Sequence, residues 1–408
     1  MPLACVFHCG MPVDPKTFGN RIRCLASGSP LDDFLANFHP KPRPANLDAL
    51  GLRSGMACFA NVSYRRYACC YQVRTRKCRV DGMALDHYVS QVHLKNFYSP
   101  ALSGMMYAIR KSDLKRFQTR SQDVCRIEEG STNAYLSEDL AIEEFLKVVE
   151  PRYNASLAKL RENNIDQECI LCIAGFAAYV VACSPAAMRI ESGPMKMALE
   201  SAATVLDGQG LIPQSPEALD KKSITELLAD GTVTVSVDPK YPQAVGISNI
   251  LHYVSVFGNS PWEILRNEDA DSPFFTSDYP AAIETFDLNT PIDRVVPLSP
   301  DLAIRIIPDI RLSGTKQDLS FPKFGAALRR LKRTEVVDLN RLIVRCAEDL
   351  ILYRDDREWV KGFVAKNQRY RIEPVTQKLS TGTGDLLVST QRIRLPDYES
   401  PHPQEESR

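Results

Sequence analysis

The chain has 408 residues, of which 44% are hydrophobic and 25% are charged. This composition is typical of a globular protein with a large buried core, and the length allows two or three domains. The formal net charge is zero, so the overall charge gives no support to nucleic acid or an anionic membrane as a partner.

The first 82 residues differ sharply from the remainder. They contain twelve Lys/Arg against five Asp and no Glu, together with seven of the twelve cysteines. They also lack hydrophobic periodicity, and Pro and Gly recur. We therefore predict a poorly structured extension over 1–82, which is a disordered tail, an organelle leader or sequence upstream of a true start at Met83. A single α+β domain is expected over 83–370, followed by a C-terminal extension over 371–408 that is largely disordered at its end.

The first half of this domain is predicted to be mainly helical. Asp86 can cap a short helix that runs to Phe97, and Met105–Arg110 has the composition of a strand. Ser137 can cap an amphipathic helix that Pro151 must kink or divide. The uncharged segment Ile170–Cys183 is predicted to be a buried core helix rather than a membrane span, and after Pro185 another helix is expected to run to about Leu206.

The second half is predicted to supply the sheet, and its predicted elements follow in chain order. They are a short helix from Ser223, a strand over Thr232–Val237, a helix over Ala244–Phe257, strands at Trp262–Arg266, Pro273–Thr276 and Leu302–Ile307, and a last helix over Glu335–Tyr353 capped by Thr334. The architecture predicted from these elements is α+β, with a helical layer packed on a mixed β-sheet.

Strong catalytic motifs do not occur in the sequence. It has no phosphate loop, GxGxxG, HExxH or GxSxG pattern. Cys169 and Cys172 have CxxC spacing but lie in an apolar helix without a second pair, which favours buried thiols over a zinc site. Buried, reduced cysteines are typical of a cytoplasmic protein. No metal is expected, and the sequence does not identify a cofactor.

Two groups of polar residues are candidate sites. His87 and Gln91 are spaced i and i+4, so a helix would place them on one face, where they could orient a substrate or serve as structural caps. Ser277 and Asp278 follow a predicted strand, where they could act in catalysis or form a turn. Arg189, after the apolar helix, and Asn340, on the last helix, are candidate binding residues that could add hydrogen-bond donors.

These segments resemble a known family. His87-Tyr88-Val89-x-Gln91-x-x-Leu94-x-Asn96-Phe97 resembles the opening signature of domain of unknown function 4238, and Thr276-Ser277-Asp278-x-Pro280 resembles its later signature. Pro297-Leu298-Ser299 and Leu339-Asn340 are similar to further elements of it. Ser90 stands where proline is usual, and Tyr279 where asparagine is usual. The resemblance covers about 83–368 and implies an intracellular protein of bacteria or fungi, without implying a reaction.

Two functions remain open from the sequence. The first is a hydrolase-like enzyme, with nucleic acid as one substrate class, in which His87, Gln91, Ser277 and Asp278 would be catalytic. The second is a non-enzymatic binding or interaction protein, with a role in host defence as one setting, in which the same residues are structural. The two readings differ in one geometric expectation, because catalysis requires these four side chains to share one cleft.

Overall fold

The computed structural model describes residues 7–8, 60–64, 85–285, 291–312, 316–381 and 384–396. The helices of this part of the chain are α1 (Gln91–Lys95), α2 (Ala141–Val149), α3 (Tyr153–Glu162), α4 (Gln167–Cys183), α5 (Pro185–Gly208), α6 (Ile224–Ala229), α7 (Lys240–Ser248), α8 (Ile250–Gly258), α9 (Arg333–Cys346) and α10 (Glu358–Asn367).

The strands are β1 (Phe7–His8), β2 (Ala60–Tyr64), β3 (Leu85–His87), β4 (Met106–Arg110), β5 (Arg116–Thr119), β6 (Arg126–Glu128), β7 (Val233–Val237), β8 (Pro261–Asn267), β9 (Thr276–Ser277), β10 (Ala282–Glu284), β11 (Asp293–Ser299), β12 (Leu302–Ile306), β13 (Gly325–Leu331), β14 (Leu350–Tyr353), β15 (Arg371–Thr381) and β16 (Gly384–Arg394).

The largest sheet has five strands in the order β10-β11-β12-β8-β13. Its strands pair antiparallel except for β13, which runs parallel to β8, so the sheet is mixed as predicted. A second sheet has the order β5-β4-β14-β9, and β15 with β16 forms a long hairpin that also pairs with β1. The α+β class predicted from the sequence is therefore confirmed.

Helix α4 lies at the centre of the main hydrophobic core. Its residues from Cys169 to Val180 are all buried, and the same core includes side chains of the five-stranded sheet such as Ile264 and Val296. Asp166 caps the helix by accepting a hydrogen bond from the Cys169 amide. The predicted buried helix is thus confirmed, because an apolar surface around the whole helix requires cover on every side.

The second sheet is covered on both faces. Ile109 and Ile351 belong to the main core, whereas their strand neighbours Ala108 and Leu352 belong to a smaller core together with Leu94 of α1. Side chains alternate between the two faces of a strand, which explains this division. Helix α1 thereby packs on one face of this sheet, and β9 is the strand at its edge.

Several predicted boundaries were wrong. The segment that begins at Asp86 starts as strand β3, and α1 begins only at Gln91, because His87 pairs with Arg126 on β6. The predicted Glu335–Tyr353 helix ends at Cys346, and its last residues form β14 between β4 and β9. The predicted Pro273–Thr276 strand is reduced to β9, and the Ala244–Phe257 helix is divided into α7 and α8 at Asn249.

Other differences concern pairing. The predicted strand over Thr232–Val237 exists as β7, but it pairs with β2 outside the main sheet. The hairpin β15–β16 lies within the C-terminal extension 371–408. The prediction for 1–82 falls outside the described residues apart from β1 and β2, whose backbones pair with β16 and β7, and it stays a prediction.

Within the described residues, no single helix is long and apolar enough to cross a membrane. One bent pair, Ala141–Glu162 with Gln167–Cys183, meets the length and composition requirements together, at an angle of 115°.

Candidate functional site

The first pair of candidate residues, His87 and Gln91, lies close together, but not on the single helix that was predicted. Gln91 Nε2 lies 3.4 Å from His87 Nδ1, although His87 ends a strand and Gln91 begins α1. The Gln91 Oε1 accepts a hydrogen bond from the Ser121 hydroxyl at 3.3 Å. Ser121 in turn contacts the Tyr98 hydroxyl at 2.8 Å. The pair therefore belongs to a polar chain that ties α1 to the 121–123 turn.

His87 is half-buried, and its protonation is disfavoured. Burial lowers the pKa of His87, the Ser121 carbonyl nearby opposes this, and Arg126 lowers the pKa further. Nε2 is buried and makes no hydrogen bond of good geometry. The His87 carbonyl oxygen accepts a 2.5 Å hydrogen bond from the Tyr179 hydroxyl on α4. No carboxylate hydrogen-bonds the imidazole among the described residues, so it lacks the partner that orients a catalytic base.

His93, which was not a candidate from the sequence, joins the opening signature to the later one. Its Nδ1 lies 2.8 Å from the Tyr153 hydroxyl, and its Nε2 lies 2.8 Å from the Thr276 hydroxyl. The ring is fully buried and stacks on Phe176, with 4.6 Å between ring centroids. Burial lowers the pKa of His93 to about 3, so the imidazole is neutral, with one nitrogen donating and the other accepting.

Asp278 is a buried carboxylate enclosed by backbone amides. Its Oδ1 accepts from Glu348 N at 3.0 Å, and its Oδ2 accepts from Asp349 N and Leu350 N at 2.8 Å each. Burial raises the pKa of Asp278 to about 6, against the opposing effect of these amides and of Lys111. The carboxylate thus satisfies the backbone between α9 and β14.

Ser277 and Tyr279 are also committed to internal hydrogen bonds. Ser277 is fully buried on β9, and its hydroxyl oxygen accepts from Tyr279 N at 3.1 Å, which is turn chemistry rather than nucleophile activation. The Tyr279 hydroxyl accepts from Arg294 Nη1 at 3.2 Å. Tyrosine at this position, where the resemblance has asparagine, therefore has a hydrogen-bond partner of its own.

Lys111 lies under the same backbone segment. Its Nζ donates to Ala347 O at 2.5 Å and to Tyr370 O at 2.7 Å, and only 4% of the residue is exposed. Burial lowers the pKa of Lys111, while Asp278 raises it. No sequence pattern marks Lys111, which follows an ordinary strand at the start of a charged loop.

Arg189 and Asn340 reach this region from opposite directions. Arg189 binds Glu348 Oε1 at 2.6 Å and donates to Ile372 O at 2.7 Å. Asn340 is fully buried on α9, where its Oδ1 accepts from Phe275 N and its Nδ2 donates to Pro273 O, both at 2.9 Å. The Asn340 side chain therefore satisfies one backbone N–H and one backbone C=O of the loop before β9, as the backbone of a neighbouring strand would.

The candidate residues thus fall into two groups. Arg189 and Asp278 share the Glu348–Leu350 segment, and Asn340 binds the loop that leads into Ser277. The hydrogen bonds described for His87 and Gln91 do not involve Ser277 or Asp278. A common cleft for these residues stays a prediction.

Among the described residues, no group of three or more His, Cys, Asp and Glu could hold a metal ion. Cys169 and Cys172 have pKa values raised to about 12 by burial. Their thiols hydrogen-bond the carbonyls of Ser156 and Val149. Such thiols are buried and unreactive.

The base of the β15–β16 hairpin carries three arginines, defined here as the arginine face: Arg371, Arg392 and Arg394. Residues 361–396 contain seven Lys/Arg against two Asp/Glu, a net charge of +5. Arg371 lies directly opposite Arg394, and Arg392 lies opposite Glu373. Residues opposite each other in an antiparallel pair point to the same side, and side chains two positions apart on a strand share a face, so Arg371, Arg392 and Arg394 share one face of the hairpin.

The arginine face has one acidic residue, Glu373, which already accepts hydrogen bonds from two arginines. Glu373 accepts from Arg371 Nε at its Oε1 and from Arg189 Nη1 at its Oε2, the latter at 3.1 Å. Arg394 is exposed. Like charges directly opposite on a hairpin are destabilising. The arrangement therefore places three arginines and one carboxylate, Glu373, on one face, so the face keeps a net positive charge.

The fold and site define an α+β protein in which the opening signature (residues 87–97) and the later signature (residues 276–280) are joined by the buried side chain of His93. A family model described as "Protein of unknown function (DUF4238)" matches residues 86–357. The chain belongs to this family, as the resemblance implied. No curated protein and no solved structure matches the chain.

Proposed function

We propose that this chain is a non-enzymatic binding protein and that the polar residues of its two signatures stabilise the fold. The observation that carries the proposal is the state of Ser277, Asp278 and Asn340. All three are buried, and each is hydrogen-bonded to the backbone. A catalytic nucleophile or base must reach a substrate, whereas polar groups satisfied by the backbone are typical of structural residues.

We infer further that the partner is nucleic acid, bound through its phosphates at the arginine face. The overall charge of zero does not support this partner, but the local net charge of +5 over residues 361–396 does. Guanidinium groups match phosphate oxygens in paired hydrogen bonds. A phosphate between Arg371 and Arg394 would also relieve the repulsion between these two directly opposed side chains.

The proposal is tested by measuring hydrolysis and binding on the same protein. The full chain is incubated with single- and double-stranded DNA and RNA, and with ester substrates, in the presence of Mg²⁺ or Mn²⁺. We expect binding of labelled oligonucleotides in fluorescence anisotropy at low salt and no turnover of any substrate. Turnover that His87→Ala abolishes without changing Tm would overturn the non-enzymatic function.

Substitutions in the arginine face test whether nucleic acid is the partner. Arg371→Gln and Arg394→Gln are each expected to reduce the slope of log affinity against log salt by roughly 1, the effect of losing one phosphate contact. Arg311→Gln is the matched control, because the Arg311 side chain is 85% exposed and pairs only with Asp309 among the described residues. Equal binding by all three variants would exclude the arginine face as the nucleic-acid site.

A further inference from the structure

The mixed sheet ends at a strand that is unusually exposed. β13 forms one edge, and its residues Gly325 to Leu328 are all exposed. The other edge, β10, has three residues, two of them buried. Parallel strand pairs normally lie in sheets that are covered on both faces. The β8–β13 pair departs from this pattern, because the apolar half of β13 has no cover in the described part of the chain.

The register shows which side of the sheet is left open. Leu328 is paired with Ile264, and Ala326 with Trp262, so these side chains point to the same face. Trp262 and Ile264 are buried in the main core, at 1% and 0% exposure, whereas Leu328 is 41% exposed. The hydrophobic layer of the sheet therefore continues into β13 and stops at an open edge.

We propose that β13 pairs antiparallel with β13 of a second copy of the chain, with Leu328 on the two-fold axis. In this register all seven residues of β13 find a partner: Leu328 opposes Leu328 of the other copy, Ala327 opposes Arg329, Ala326 opposes Arg330, and Gly325 opposes Leu331. Every arginine then faces a small residue. Moving the axis to Arg329 or Arg330 would oppose arginine to arginine, which is destabilising.

The two-fold axis also matches the faces of the two sheets. Residues directly opposite in an antiparallel pair point to the same side, so Leu328 of both copies would extend the layer formed by Ile264 and Trp262. The result is a continuous ten-stranded sheet in which both β13 strands are paired and neither remains an open edge. An isologous contact of this kind closes and cannot grow into a filament.

A second copy fits this edge better than an acidic peptide does. Arg329 already binds Glu263 and Glu335, and Arg330 pairs with Glu268. The charges of the strand are therefore balanced within the chain, and what remains open is backbone and apolar surface. A seven-residue strand pair buries less than the roughly 1,200 Å² of a stable interface, so we expect a dimer of micromolar Kd.

The oligomeric state is measured by sedimentation velocity across a range of concentrations from micromolar upward. The wild-type chain is expected to pass from monomer to dimer, and Leu328→Lys, which places two charges on the axis, is expected to stay monomeric with an unchanged Tm. Leu211→Lys is the matched control, since Leu211 is 57% exposed and follows helix α5, outside any strand. A wild-type monomer at all concentrations, or a dimer unaffected by Leu328→Lys, would overturn the proposal.

Disulfide cross-linking tests the register. Cα atoms directly opposite in an antiparallel pair are about 4.5–5.5 Å apart, within disulfide reach. Leu328→Cys should therefore give a reducible dimer under mild oxidation, beyond the background of the wild-type chain. Ala326→Cys should cross-link with Arg330→Cys but not with itself, because the two 326 positions lie about 13 Å apart at 3.3 Å per residue. Self-linking of Ala326→Cys as strong as that of Leu328→Cys would refute the register. These outcomes are independent of whether nucleic acid binds.

Discussion

Replacing Asn340 by leucine separates a structural role from a binding role. Asn340 is fully buried, and its side chain satisfies Phe275 N and Pro273 O, each at 2.9 Å. Leucine has a similar shape but can satisfy neither group. The substitution therefore leaves one buried N–H and one buried C=O without partners, while the packing of α9 changes little.

The magnitude follows from these two lost hydrogen bonds. Each unsatisfied buried group costs about 1–3 kcal/mol, which gives a total of about 2–6 kcal/mol. The larger apolar surface of leucine offsets roughly 1–2 kcal/mol of this loss. With mid-range values of about 4 kcal/mol lost and about 1.5 kcal/mol regained, we expect Asn340→Leu to lower the free energy of unfolding by about 2.5 kcal/mol.

Urea denaturation followed by the fluorescence of Trp262 and Trp359 measures this change, because both tryptophans belong to or pack against the main core. Asp338→Ala on the same helix is the control, since the Asp338 side chain is 62% exposed and, within the described part of the chain, pairs only with Arg341; its effect should stay within about 0.5 kcal/mol. If Asn340→Leu unfolds at the same urea concentration as the wild type but loses a binding activity, Asn340 is a binding residue and the structural role is refuted.

Two further predictions concern a buried histidine and two glycines. The pKa of His93 in the fold is about 3, below its ordinary 6.5, so the unfolded chain binds more protons and stability is lost as pH falls below 6.5, by about 1.4 kcal/mol per pH unit. His93→Gln should remove this pH dependence of the free energy of unfolding. The difference in that free energy between wild type and variant should therefore shrink by roughly 2–3 kcal/mol from pH 6.5 to pH 4.5. Parallel curves of the free energy of unfolding against pH would contradict this role of His93. Gly246→Ala should cost about 1–3 kcal/mol, because its Cβ would lie 2.9 Å from Ala182 O. Gly362→Ala, with nothing within 4 Å on helix α10, should instead stabilise by about 0.5–1 kcal/mol, and thermal melts that rank the two variants the other way would refute this packing argument.

The sequence predicted elements well where a local signal was strong. The uncharged run of α4 required a buried helix, and Pro151 divided the preceding amphipathic pattern into α2 and α3 through a short 3-10 turn. Ser223 and Glu226 form the capping box that starts α6. Each of these features is decided within one or two turns of chain, by side-chain polarity or backbone geometry.

The sequence was less informative where pairing decides the structure. Leu350–Tyr353 continues the helical pattern of α9, yet it forms β14, because β4 and β9 offer backbone partners on both sides. The hairpin β15–β16 was missed for the same reason, since its register depends on contacts between distant residues. Strand composition shows that a segment can pair, but the partner is a property of the whole fold.

The candidate site also has features that local sequence determined and features that only tertiary structure decided. The sequence determined which polar residues mark the two signatures, but His87 and Gln91 meet at a strand end and a helix start, not on the one helix from which their i, i+4 spacing was predicted to bring them together. Tertiary structure alone brought His93 to Thr276, across 183 positions, and enclosed Asp278 in the amides of 348–350. The physical reason is that a side chain's role depends on what satisfies it, and these partners come from segments remote in sequence that meet only when the core is formed.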